Sequence, residues 1–245
     1  MSMFTLPTAS APMDSGVGRV TNDEVAPSGS FRQDGGGSVT FEMTSSANSY
    51  FVPRMSYFNY RLRITKSAAG DALTADDGVI AGGGVQFRVN PVATIVNTFS
   101  HSINGVNIET VSNVGECAAI LNRTSLSHEY LYSSGGSMFR LCGHNGTGNS
   151  LQEILLPGGA LQPWDGLTKV WDCAWVPPSG FFSMAGSLPG GRHRFVLTHS
   201  GALREHVMMM TPLRAALADG LIVNVTIESI TLHATHMIPD VVTPI

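Results

Sequence analysis

Nine consecutive residues, Tyr57 to Thr65, alternate without a slip. Phe58, Tyr60, Leu62 and Ile64 take one side, and Tyr57, Asn59, Arg61, Arg63 and Thr65 the other. A period of two over that length excludes a helix and marks a half-buried strand in an antiparallel sheet. The same period returns in Val39, Phe41 and Met43, and again where His193, Phe195, Leu197 and His199 alternate with Arg192, Arg194, Val196 and Thr198. Trp171, Cys173 and Trp175 share a face of a strand that Pro177-Pro178 ends. Phe99, His101 and Ile103 lead into Asn104-Gly105, and Val106 and Ile108 lead out. That dipeptide predicts a two-residue type I′ hairpin, because both turn positions need positive φ. Residues 221–237 form the longest alternating run. Their apolar face is odd-numbered through Leu221, Val223, Val225 and Ile227, then even-numbered through Ile230, Leu232 and Ala234. The change of face predicts a bulge or bend at Glu228-Ser229.

Helical signals are sparse. Asn113 as N-cap, Glu116 three residues on, and the run Ala118, Ala119, Ile120, Leu121 predict one short helix, with a weaker pattern over 212–218. Strands therefore do not alternate with crossover helices, which disfavours a parallel α/β sheet. The expected fold is all-β: a single eight-stranded antiparallel jelly-roll sandwich with one short helix and long loops at 67–86, 133–150 and 157–167. Residues 1–37 are rich in Ser, Pro, Gly and Thr and end in Gly35-Gly36-Gly37. They read as a flexible or extended N-terminal arm, leaving 38–245 as the jelly-roll domain.

Composition narrows the function. Of 245 residues only 13% are charged, 14 Lys+Arg against 18 Asp+Glu, about half of what a soluble domain usually carries. At 43% hydrophobic the chain is not disordered, and it lacks the run of about 18 apolar residues that spans a membrane as a helix. A net charge of −4 argues against a conventional nucleic-acid binder. Cys117, Cys142 and Cys173 lack paired spacing and read as reduced structural thiols. No basic n-region precedes an apolar run at the N-terminus, so the sequons at Asn122, Asn145 and Asn224 read as chance and synthesis as intracellular.

Catalytic and cofactor motifs are absent from the sequence: no P-loop, Rossmann fingerprint or Gly-x-Ser-x-Gly elbow occurs. His233 and His236 fall on opposite faces of a strand and cannot share a metal ion unless a bulge intervenes. His193 and His199 read as core or interface histidines. Met208-Met209-Met210 reads as gap-filling or subunit-contact methionine, and Cys117 with His128 has nothing to fix a nucleophile's geometry. No enzyme, cofactor or metal is expected. The residues of interest are Arg61 and Arg63 on the outer face of one strand, and Arg192 and Arg194 on one face of another. Their guanidinium groups suit phosphate contacts, or carboxylates across a subunit boundary; a solvated or inter-subunit role is favoured over phosphate by the acidic balance of the chain.

Several runs carry a resemblance. Val39-Thr40-Phe41, Tyr50-Phe51-Val52-Pro53 and Tyr60-Arg61-Leu62-Arg63-Ile64-Thr65-Lys66 resemble the opening strands of viral major capsid proteins, most closely the first barrel of the double jelly-roll lineage. The block from Asn90-Pro91-Val92 through Phe99-Ser100 to Asn104-Gly105-Val106-Asn107-Ile108 is similar to the hairpin of that family. So are Pro178-Ser179-Gly180-Phe181-Phe182, the stretch from Leu188 to Phe195, and the terminal Ile230-Thr231-Leu232-His233-Ala234. The resemblance implies a coat protein of a small non-enveloped icosahedral virus, located in the virion. This chain has length for one barrel only and no basic arm. The implied partners are copies of itself in a symmetric shell, other capsid proteins and a host receptor, with weak or indirect nucleic-acid contact and no membrane. The alternative is a receptor- or glycan-binding jelly roll, a fibre head or lectin, in which Trp164 would stack on sugar; a cupin-like enzyme would need clustered ligands that the dispersed histidines do not offer.

Overall fold

The structure, a computed structural model, describes residues 17–46, 48–65, 85–87, 91–125, 154–155, 161–162, 170–188, 190–210 and 224–239. Thirteen strands occur among them: β1 (Val17–Val25), β2 (Ser38–Thr44), β3 (Tyr50–Phe51), β4 (Tyr57–Thr65), β5 (Val85–Phe87), β6 (Val96–Ile103), β7 (Val106–Ser112), β8 (Ile154–Leu155), β9 (Leu161–Gln162), β10 (Val170–Trp175), β11 (Arg192–His199), β12 (Met208–Met210) and β13 (Asn224–Pro239). Among the same residues are three α-helices, α1 (Pro91–Ile95), α2 (Val114–Ser125) and α3 (Leu203–Val207), and a 3-10 turn at Pro53–Met55.

Eight strands make two facing layers. One sheet runs β1-β13-β4-β10, with the two-residue β3 also on β13, and the other runs β2-β11-β6-β7. Counted along the chain as 1 to 8, these strands read 1-8-3-6 and 2-7-4-5. Strands 1·8, 2·7, 3·6 and 4·5 pair antiparallel, as in one long hairpin folded over on itself. That wrapped hairpin is the jelly roll.

The core lies between the layers and is aromatic. Phe41, Phe51, Phe58, Phe99, Phe195, Tyr60 and Trp175 are all buried, each contributing roughly 1.5–3 kcal/mol through its lost water contact. Edge-on pairs such as Phe41 with Phe58, 5.3 Å between centroids, fix their relative tilt. The alternating runs bury the faces that the pattern assigns: Phe58, Tyr60 and Leu62 on β4, and His193, Phe195, Leu197 and His199 on β11. The turn between β6 and β7 has Asn104 at φ 49° and Gly105 at φ 83°, as a type I′ hairpin requires. The predicted helix is α2, whose first turn closes on the Asn113 carbonyl through the Glu116 and Cys117 amides.

The expectation of a separate arm over 1–37 needs correction in its second half. Residues 17–25 are the first strand of the barrel, paired along β13 from Val17↔Pro239 to Val25↔Leu232. Polar composition hid it because an edge strand is held by main-chain bonds and needs no apolar face. The connection to β2 is also docked. Gln33 accepts from the Ile227 amide, Gly36 donates to the Ser200 carbonyl, and Phe31 packs partly on the core. Gly35, at φ 81°, lies so close to the Ser200 carbonyl that a Cβ would sit 2.2 Å from its oxygen. Residues 1–16 and the pattern at 212–218 lie outside the described residues. Most of the expected loops do too, but their described parts include strand: β5 pairs with β12, and β8 with β9.

Candidate functional site: arginine clasps and a buried histidine cluster

Both arginine pairs lie on outer faces of the sandwich, one on each sheet, and each pair shares one carboxylate of its own chain. Arg61 Nε lies 3.4 Å from Glu228 Oε2, and Arg63 binds the other oxygen of that carboxylate. The β13 register explains the meeting. Ile227 pairs with Leu62 and Ser229 with Arg61, so Glu228 is the extra residue of a bulge. The predicted change of face thus places a carboxylate between two arginines. On the other sheet Glu42 stands opposite Arg194. It accepts from Arg192 Nη2 at 2.7 Å, with Arg194 Nε at 3.6 Å. The Arg192 hydrogen bond holds the Glu42 carboxyl below its ordinary range, and the same bond raises the Arg192 guanidinium. In each clasp two cations share one carboxylate. All four guanidinium groups are about half exposed, so the pairs themselves add little stability.

A second constellation is internal. His101 on β6, His193 on β11 and His236 on β13 converge between the sheets, packed among Phe51, Phe181 and Phe195. His101 Nε2 and His193 Nδ1 are 3.2 Å apart, with the rings parallel. His236 Nε2 meets Ser45 Oγ at 3.3 Å. The remaining nitrogens, His101 Nδ1, His193 Nε2 and His236 Nδ1, have no hydrogen-bond partner among the described residues. Asp23 comes within 3.1 Å of His236 Nδ1, near enough for charge attraction but not aligned as a hydrogen bond. Burial pulls His101 and His193 down to about 4, each aided by a neighbouring imidazole, His193 and His236 respectively. At the opposite end of β11, His199 Nε2 bonds the buried Tyr60 hydroxyl at 2.9 Å. Burial lowers His199 to about 4 and raises the Tyr60 phenol well above its usual value.

Among the described residues no three His, Cys, Asp or Glu side chains are placed to hold a metal ion. His233 and His236 do point apart: His233 stacks on Tyr57 at the surface while His236 is buried. Neither Cys117 nor Cys173 forms a disulfide. Among the described residues no helix is long and apolar enough to cross a membrane.

No family model and no curated protein matches the chain. Solved structures do. A chain of the Sputnik virophage, solved by cryo-EM, matches 94% of this chain with a TM-score of 0.61 and 16% identity. Mavirus major capsid protein matches 92% at 12% identity and a TM-score of 0.48, and Faustovirus major capsid protein 91% at 9% and 0.49. The chain spans about half of the structures it matches: 50% of the Sputnik chain, 48% of the mavirus protein and 55% of the Faustovirus protein. The fold is a jelly roll, shared with a chain of the Sputnik virophage.

Within that jelly roll, sequence reasoning found the four arginines but not what holds them. The change of face marks Glu228 as the place of a bulge and nothing in the pattern singles out Glu42; pairing register is what joins both to arginine. It also passed over Glu109 on β7, whose carboxylate accepts the Gly180 and Phe181 amides at 2.8 and 3.1 Å. This carboxylate pins the turn that carries Phe181 onto His101, with centroids 3.9 Å apart. Histidine on the inward face of two strands was the available signal for the cluster. His128, Cys142 and Trp164 lie outside the described residues.

Proposed function

We propose that this chain is a structural capsid subunit, building a closed icosahedral shell around a viral genome from many copies of itself. The observation that supports it is the complete wrapped-hairpin barrel, matched over 94% of the chain to a virophage particle component. The surface fits the role. A subunit that meets neighbours on several sides has little area left for water, and charge is depleted at the centres of interfaces. Val106, Ile108, Met55 and Met184 are apolar and exposed, as contacts between subunits require. The proposed partners are copies of the chain, with other capsid proteins and a host receptor at the shell surface, and the proposed location is the virion.

In this reading Arg61, Arg63, Arg192 and Arg194 contact acidic groups of neighbouring copies from their exposed positions on the two outer faces. The role needs no catalysis. Contact with the genome is weak or indirect, because the chain has a net charge of −4 and its arginines are already half neutralised. Negative-stain microscopy of the expressed chain across salt and pH tests the proposal. Uniform closed particles are expected; a protein that stays monomeric throughout would overturn it.

A further inference from the structure

The N-terminal strand is an edge strand held mainly by its ladder, as is β7 at the edge of the other sheet, where no side chain is fully buried either. Between Gly18 and Glu24 no residue of β1 is buried, and Val20 is 51% exposed. By contrast β2, its sequence neighbour, sinks Val39, Phe41 and Met43 into the core. What fixes β1 is its ladder to β13 and a few polar contacts: the Thr235 hydroxyl donates to Asn22 at 2.7 Å, and Asp23 and Glu24 lie 3.1 and 3.9 Å from His236 and His233. Only Val25, at its inner end, packs partly on the core, so the rest of the strand can leave its edge without emptying a core position.

The edge itself cannot stay bare. Thr235 and His236, beside Asn22 and Asp23 of β1, are 3% and 6% exposed, and the β13 main chain from Leu232 to Pro239 would lose its partner on that side. An unpaired strand edge is a template for another strand. The occupant that fits it, residue by residue, is the sequence already seated there.

The connection permits a change of owner. Residues 26–30, Ala-Pro-Ser-Gly-Ser, are mostly exposed, with Gly29 at φ 95° and one main-chain tie, the Ser28 amide donating to the Thr40 carbonyl of β2; from Phe31 onward several contacts fasten the chain to its own barrel. Pro27 keeps this hinge extended, and five residues reach at most roughly 17 Å. We propose that β1 is an exchangeable strand, and that in the assembled state residues 17–25 of one copy lie on the β13 edge of a second copy of this chain. A reciprocal exchange closes a two-fold dimer, while a one-way exchange links copies into rings or nets. The inference rests on the reading of copies as partners, and names the element that joins them.

Val20 and Met237 are register partners across the seam, close enough for a disulfide. One chain carrying Val20→Cys and another carrying Met237→Cys, each with Cys117→Ser and Cys142→Ser, are mixed under assembly conditions and oxidised. Neither chain can close this bond within itself. A disulfide-linked pair of unlike chains whose yield rises with concentration is expected. The double variant Val20→Cys/Met237→Cys shows that the seam forms and the protein folds. If it links only within itself at every concentration, and the mixed chains stay unlinked, exchange is overturned. Particles without exchange leave the capsid reading standing; exchanged pairs without particles support β1 exchange while removing the shell.

Discussion

Tyr60 and His199 show how one polar contact is made safe in an aromatic core. Both side chains are buried, and each satisfies the other at 2.9 Å. Tyr60→Phe keeps the shape but leaves His199 Nε2 without a partner, a loss of about 1–3 kcal/mol that urea unfolding would read. Gly35 is the opposite case, in which the constraint lies in the backbone. At φ 81°, with the Ser200 carbonyl 2.2 Å from any added Cβ, Gly35→Ala has nowhere to place its methyl group. Its cost should exceed the roughly 1–2 kcal/mol of left-handed backbone alone, seen as a lower melting temperature. The arginine clasps sit at the other extreme. Glu42→Gln should barely move the melting temperature at moderate salt, because its partners are about half exposed.

Among the elements, β7 is an edge strand with a task. Glu109 reaches from it to two amides of the turn after β10, so the strand and the turn hold each other. Glu109→Ala should cost about 1–2 kcal/mol and free Phe181 from His101, measurable as faster hydrogen exchange at the Gly180 and Phe181 amides. At this scale the sequence was legible wherever one face of a strand is buried. β4, β11, the β6–β7 hairpin and the bulge in β13 can all be read from a period of two, because burial enforces it. Where side chains do not choose a face, the pattern is silent. β1 buries none of its residues from Gly18 to Glu24, so it looked like part of an arm although it completes the sheet. Three histidines on three strands gave no clustered motif either, since Phe51, Phe181 and the β6–β11 and β13 pairings bring them together only in the folded barrel. For the same reason Glu228 was readable as a kink but not as the anion between Arg61 and Arg63.

For the molecule as a whole, these histidines set how stability depends on acidity. His101 and His193 tie β6 to β11 near one end of the sandwich, with His236 of the facing sheet beside them, and His199 meets Tyr60 across the layers at the other. All three of His101, His193 and His199 are lowered to about 4 by burial, against 6.5 when unfolded. Below about pH 6.5 the unfolded chain therefore takes up protons that the folded chain refuses until about pH 4. Stability is at its full value above pH 6.5 and falls as the pH drops through this window. For His199 alone the difference amounts to roughly 3 kcal/mol, and the coupled pair His101 and His193 adds to it less than two independent groups would. Unfolding free energies measured in urea between pH 8 and pH 4.5 should decline by several kcal/mol. His101→Phe should shallow that slope, since it removes one imidazole from the apolar end while keeping the ring packed on Phe181 and Phe195. A profile flat from pH 7 to pH 5 would mean that water or an ion already satisfies the imidazoles inside the barrel.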